Sequence, residues 1–128
     1  LGAKIVIESA DISEVLDQQA LNNVRALQRP GNALLAKVIG IFLKDSPMVL
    51  TELQRCVDAN DPVQMSKLAH RLKSGCANLG ATRLAEQLRE LEALGKAGSC
   101  EGARALFDQV QQEYPRVEQA LKRELGAS

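Results

Sequence analysis

The chain has 128 residues, 45% hydrophobic and 25% charged, with sixteen Lys and Arg against sixteen Asp and Glu. A chain of this size supports one real core, folding buries roughly 68–70% of its extended surface, and the composition excludes intrinsic disorder. Zero net charge supplies no global field for a polyanion and no local basic patch dominates, which argues against nucleic acid or a charged membrane as partner; with no Trp, one Tyr and two Phe there is no stacking platform for bases or sugars.

No apolar run reaches the ~18–20 residues needed to span a bilayer, and no signal-peptide pattern opens the chain. A first residue of Leu1 rather than Met suits a domain cut from a longer parent. Cys56, Cys76 and Cys100, odd in number and widely spaced, fit reduced thiols of a cytoplasmic protein, or of the cytoplasmic part of a membrane-anchored one, used as small apolar filler.

Residues 1–10 read as a leading segment or linker, with β-branched alternation confined to Lys4 to Ile7; residues 11–128 read at helical period. Asp11 or Ser13 can cap a first helix carrying Val15, Leu16, Leu21, Val24 and Leu27, ending before Pro30 and Gly31. Asn32 can cap a second, with Leu34, Leu35, Val38, Ile41, Phe42 and Leu43 inward. Asp45-Ser46-Pro47 then predicts a stop and restart, Ser46 as N-cap and Pro47 at the first helical position, followed by a helix to about Ala59 that buries Val49 or Leu50, Leu53, Cys56 and Val57. Asn60-Asp61-Pro62 repeats the signal and opens a helix running to Leu79, before Gly80. A helix from about Thr82 carries Leu84, Leu88, Leu91 and Leu94, and a last one, from about Cys100 to Leu125, carries Leu106, Val110, Tyr114, Val117, Ala120, Leu121 and Leu125 with a kink at Pro115. Short loops between such helices predict an all-α, up-and-down antiparallel four-helix bundle with extra short N-terminal helices.

His70 is the sole histidine. At about 100° per residue Leu68, Leu72, Cys76 and Leu79 define the buried stripe of its helix, and His70 falls roughly 160° away, toward solvent. Ser66, Lys73, Ser74 and Ala77 are predicted beside it, with Lys67 further round, leaving the imidazole above a low surface open to another protein. Taken alone, an exposed His is a solvated polar residue and Lys73 an ordinary surface lysine. However, Lys73 at i+3 can reach an anion on the ring, such as a phosphoryl group. If the hairpin turns near Ala81, position 70 also faces 92, where the Glu92 carboxylate can accept Nδ1–H and leave the Nε2 lone pair outward. Spacing equally allows Glu92 to be a boundary residue paired with Lys96 or Arg89.

The run Ala69 to Ala81, AHRLKSGCANLGA, resembles the signature of histidine phosphotransfer (HPt) domains of bacterial multistep phosphorelays, matched at His70, Leu72, Lys73, Ser74, Leu79 and Gly80. The resemblance extends over most of the chain, including Phe42 to Leu53 and the long last helix. Ser74-Gly75 stands where many members have Gly then Ser, a swap that keeps the site small, and some members have Gln at the position of Glu92. The resemblance implies a phosphocarrier without kinase activity of its own, as the C-terminal module of a hybrid sensor histidine kinase. His70 takes a phosphoryl group from one receiver-domain aspartate and passes it to another, Lys73 stabilises it, Glu92 orients His70, and Ser66, Lys67, Ser74 and Ala77 contact the partner. No cofactor is expected on this chain; Mg²⁺ and acidic residues belong to the receiver. The isolated domain is expected to be a monomer.

The rival reading is a non-phosphorylated helical adaptor that binds receiver or kinase domains. A metal site lacks convergent ligands, and a Cys76–His70 catalytic pair would need buried and exposed helix faces to meet.

Overall fold

A computed structural model describes residues 15–31 and 33–127. The expected lead over residues 1–10, its extended stretch and the caps at Asp11, Ser13 and Asn32 lie outside the described residues. Five helices follow in order: α1 (Gln18–Ala26), α2 (Leu34–Ala59), α3 (Pro62–Asn78), α4 (Thr82–Lys96) and α5 (Ala103–Ala127), with no strand among the described residues. The helix α2 packs on α3, α3 on α4, α4 on α5, and α5 returns to α2, closing a four-helix ring that α1 covers through contacts with α2 and α3. Cross-helix pairs run in opposite sequence directions: Ser66 and His70 of α3 meet Gly95 and Glu92 of α4, and Ser46 and Asp58 of α2 meet Tyr114 and Arg104 of α5. The bundle is therefore antiparallel, as the apolar period and short loops predict. Among the described residues no helix is long and apolar enough to cross a membrane.

The fully buried Leu21, Ile39, Leu53, Met65, Leu84, Leu88, Leu91, Val110, Val117 and Leu121 form one core with contributions from every helix. Local chemistry fixes where helices begin and end. The Asp61 side chain accepts the Gln64 N–H and Pro62 occupies the first turn of α3, where its missing N–H costs no helical bond. The α3 C-terminus closes with Gly80 at φ +76°, Gly80 N–H on Ala77 O and Ala81 N–H on Cys76 O, the paired bonds that satisfy a helix's last carbonyls. Asp17 N–H also donates to Gly80 O at 2.7 Å, and a Cβ at Gly80 would sit 2.6 Å from Asp17 O. Glycine here permits both the turn and the seating of α1 on it.

Four expectations need correction. Among the described residues the first helix starts at Gln18, capped by Asp17, so Val15 and Leu16 are buried ahead of it; Leu27 lies beyond its last turn and is 72% exposed. The predicted break at Ser46-Pro47 does not occur, because α2 runs unbroken for 26 residues. Pro47 is exposed, so the lost backbone donor falls on the solvent side, while the buried Ser46 hydroxyl bonds Tyr114 Oη at 2.6 Å instead of capping. Ile41 is 62% exposed; the inward position belongs to the fully buried Ile39, two residues earlier and so about 200° round the helix. Ser66 is buried, for a reason given by the α3–α4 contact below.

Candidate functional site

The site is assembled by the α3–α4 hairpin. Near its open end, a Cβ on Gly95 would lie 2.5 Å from Pro62 O and 2.8 Å from Ser66 Cβ. Only glycine opposite a small residue allows the two helices this close, and that contact buries Ser66 at 8% exposure, away from the outer face. One turn further along α3, the shared register sets His70 opposite Glu92.

The His70 side chain is 60% exposed, whereas that of Glu92 is 5% exposed. Their contact, Nδ1 to Oε2, is 2.8 Å. An ionised carboxylate only accepts, so Nδ1 carries a proton, and in the neutral ring Nε2 then keeps its lone pair. Glu92 has two further partners: Lys73 Nζ donates to Oε1 at 2.6 Å, and Lys96 Nζ lies 3.0 Å from Oε2. These contacts, the Lys73 hydrogen bond foremost, outweigh burial and hold the Glu92 carboxyl at about 2. It stays ionised throughout the physiological range.

The structure brings together His70, Lys73 and Glu92, all singled out in the sequence. Lys73 rests on Glu92 rather than projecting freely beside the ring, and is 26% exposed. Lys67, Ser74 and Ala77 are exposed on α3, and Ser74 Oγ donates to His70 O at 3.1 Å. Glu92 contacts both His70 and Lys96, while Arg89 turns to Glu86.

Beside this face, and unanticipated, lies a shallow groove of about 220 Å³ between α2 and α3, with Phe42, Leu72 and Leu79 in its floor and Val38, Ile41 and Arg71 among its walls. Arg71 is the immediate neighbour of His70. Sequence reasoning misses it because it places Ile41 inward, where the structure exposes Ile41 and buries Leu35, Ile39 and Phe42. The thiols take no part: Cys76 is buried in the core and burial pushes it up to about 12.

The arrangement is an upright imidazole with one nitrogen fixed by a buried anion, the other open, and two cations at hand. The sequence model of the Hpt domain matches residues 37–120. Among solved structures, histidine-containing phosphotransfer protein B (HptB) from Pseudomonas aeruginosa PAO1 superposes with TM-score 0.80 at 27% identity, covering 89% of this chain and 96% of that one. The histidine-containing phosphotransfer protein ZmHP2 from maize gives 0.77 at 21% identity over 97% and 99%, a likeness of fold. A sensor histidine kinase from Pseudomonas aeruginosa, AruS, is 35% identical over 89 residues, which are 68% of this chain and 9% of that kinase.

Proposed function

The chain belongs to the Hpt domain family, and from that premise we propose that His70 is its phosphoacceptor in a two-component phosphorelay, charged by one receiver-domain aspartate and discharged to another. The observation that carries the assignment is the 2.8 Å contact between Nδ1 of the exposed His70 and the buried Glu92 carboxylate, which reserves Nε2 for chemistry. In the forward step the Nε2 lone pair attacks phosphorus and the P–O bond to the receiver's aspartate breaks, returning that carboxylate. No proton has to move. The ring keeps Nδ1–H, becomes a phosphoimidazolium, and its new positive charge lies against Glu92. Transfer to a second receiver is the reverse.

Lys73 is the cation for the phosphoryl oxygens, turning from Oε1 of Glu92 by rotation of its own side chain. Phosphoryl transfer of this kind needs positioning and charge compensation, and the receiver contributes its own acidic pocket and Mg²⁺. Lys67, Ser74 and Ala77, together with the Val38–Ile41 groove, form the surface that meets the receiver; Ser66 is withdrawn from that role by its contact with Gly95. The likeness to a small part of a sensor histidine kinase supports a longer sensor kinase as the parent.

Incubation with a phosphorylated receiver domain is expected to give an acid-labile, base-stable adduct on the wild type and none on His70→Gln. An adduct persisting in His70→Gln moves the acceptor elsewhere. Receiver binding without an adduct on either form favours the adaptor reading.

A further inference from the structure

We infer that Lys96 is a positioning residue for phosphoryl acceptance: it holds Glu92 charged and aimed at His70 while Lys73 turns to the phosphoryl group. The inference rests on His70 being the acceptor. Glu92 carries two lysines where one would neutralise it, and they are not equivalent. Lys73 takes Oε1, on the helix of the acceptor itself. Lys96, one turn beyond Glu92 on α4, takes Oε2, the same oxygen that receives His70 Nδ1–H, and it is 68% exposed. With the ring neutral, the cluster of Lys73, Lys96 and Glu92 has a net charge of +1.

The phosphoryl group approaching Nε2 draws Lys73, three residues from His70 on the same helix face. If Lys73 leaves Oε1 while the ring is still neutral, a carboxylate at 5% exposure retains no cationic partner except Lys96, because the charge of the imidazolium arrives only with the N–P bond. A buried carboxylate stripped of its counter-charge is strongly unfavourable, so without Lys96 the departure of Lys73 is opposed. Lys96 also remains on the oxygen facing the ring, keeping that oxygen directed at Nδ1 as the imidazolium forms. The contribution of Lys96 therefore depends on Glu92 being an anion.

That dependence separates this role from a general one. A lysine acting directly on phosphate, or on acidic groups of the receiver, helps regardless of residue 92; a counter-cation for Glu92 does not. The test is the rate at which a receiver domain charged with acetyl phosphate loads wild type, Lys96→Ala, Glu92→Gln and the double variant, at pH 7 and fixed ionic strength. Lys96→Ala is expected to slow loading about fivefold at saturating receiver with KM little changed, Lys96→Arg to keep the wild-type rate, and Lys96→Ala to change the rate less than about twofold in the Glu92→Gln background. Equal losses in both backgrounds, a loss confined to KM, or Lys96→Ala within twofold of wild type overturns the inference. If Glu92→Gln loads too slowly to time, Lys96→Arg losing as much as Lys96→Ala overturns it. Lys96 is exposed, so its variants should fold as the wild type does, which circular dichroism checks. Failure of the underlying assignment has a different signature, a wild type that acquires no phosphoryl group on His70.

Discussion

Of the polar contacts that cross between helices, a buried pair joins α2 to α5 and a part-buried cluster joins α3 to α4. Ser46 and Tyr114 are both buried, their hydroxyls satisfy each other at 2.6 Å, and burial pushes the Tyr114 phenol up, so the pair stays neutral. Glu92 is equally buried but ionised, and its partners lead outward: His70 and Lys96 are mostly exposed. A closed neutral pair fixes how two helices pack and offers nothing to a partner. An ionised group with open ends transmits its charge to an atom at the surface, and that is the arrangement chemistry requires.

The contrast can be broken from either side. Gly95→Ala is expected to have the largest effect, because its Cβ meets Pro62 O, a backbone atom that no side-chain rotation can move. Overpacking costs about 1–3 kcal/mol, partly offset by about 1 kcal/mol of helix propensity; misregister between His70 and Glu92 should slow phosphoryl loading on the order of tenfold. Urea unfolding and loading rates measured together check this, and a variant that loads normally would show that the close α3–α4 approach does not set the site. Ser46→Ala, which orphans the Tyr114 hydroxyl, should cost about 1–2 kcal/mol of stability and leave the loading rate unchanged; a loss of loading would mean that the two contacts are not separate in function.

The smallest expected effect sharpens the charge difference. The Glu92 carboxyl is lowered from its ordinary 4.5 to about 2 in the folded chain. Its contribution to stability is thus fully present above about pH 4.5 and is lost as pH falls from there through about 2. Between those values the wild type should lose more stability than Glu92→Gln, whose neutral amide does not titrate, while carboxylates common to both cancel. Parallel pH–stability curves would contradict the assignment of an ionised Glu92.

Much of this was legible in the residues. Apolar period and the Asp61-Pro62 cap locate the helices, and counting outward from a turn near Ala81 pairs His70 with Glu92, because a short hairpin leaves no freedom of register. The misses share a cause: they depend on what lies across an interface. Ser46-Pro47 carries a strong local start signal, yet Tyr114 claims the serine and solvent absorbs the proline's missing donor. A helical wheel weighs apolarity, so it cannot see that Ser66 is buried by the absent side chain of Gly95. Nor does it choose between Lys96 and Arg89 as partners for Glu92, since both spacings are in reach on a helix.

The central claim is that Glu92 retains the Nδ1 proton and so makes Nε2 the acceptor. Long-range proton–nitrogen correlation spectra of the ¹⁵N-labelled His70 ring, recorded before and after charging by a phosphorylated receiver, read both nitrogens at once. The account predicts that Nδ1 is protonated in both states and that the phosphoryl group appears on Nε2. A phosphoryl group on Nδ1, or a ring whose nitrogen signals are unchanged while phosphate accumulates elsewhere on the chain, would contradict it.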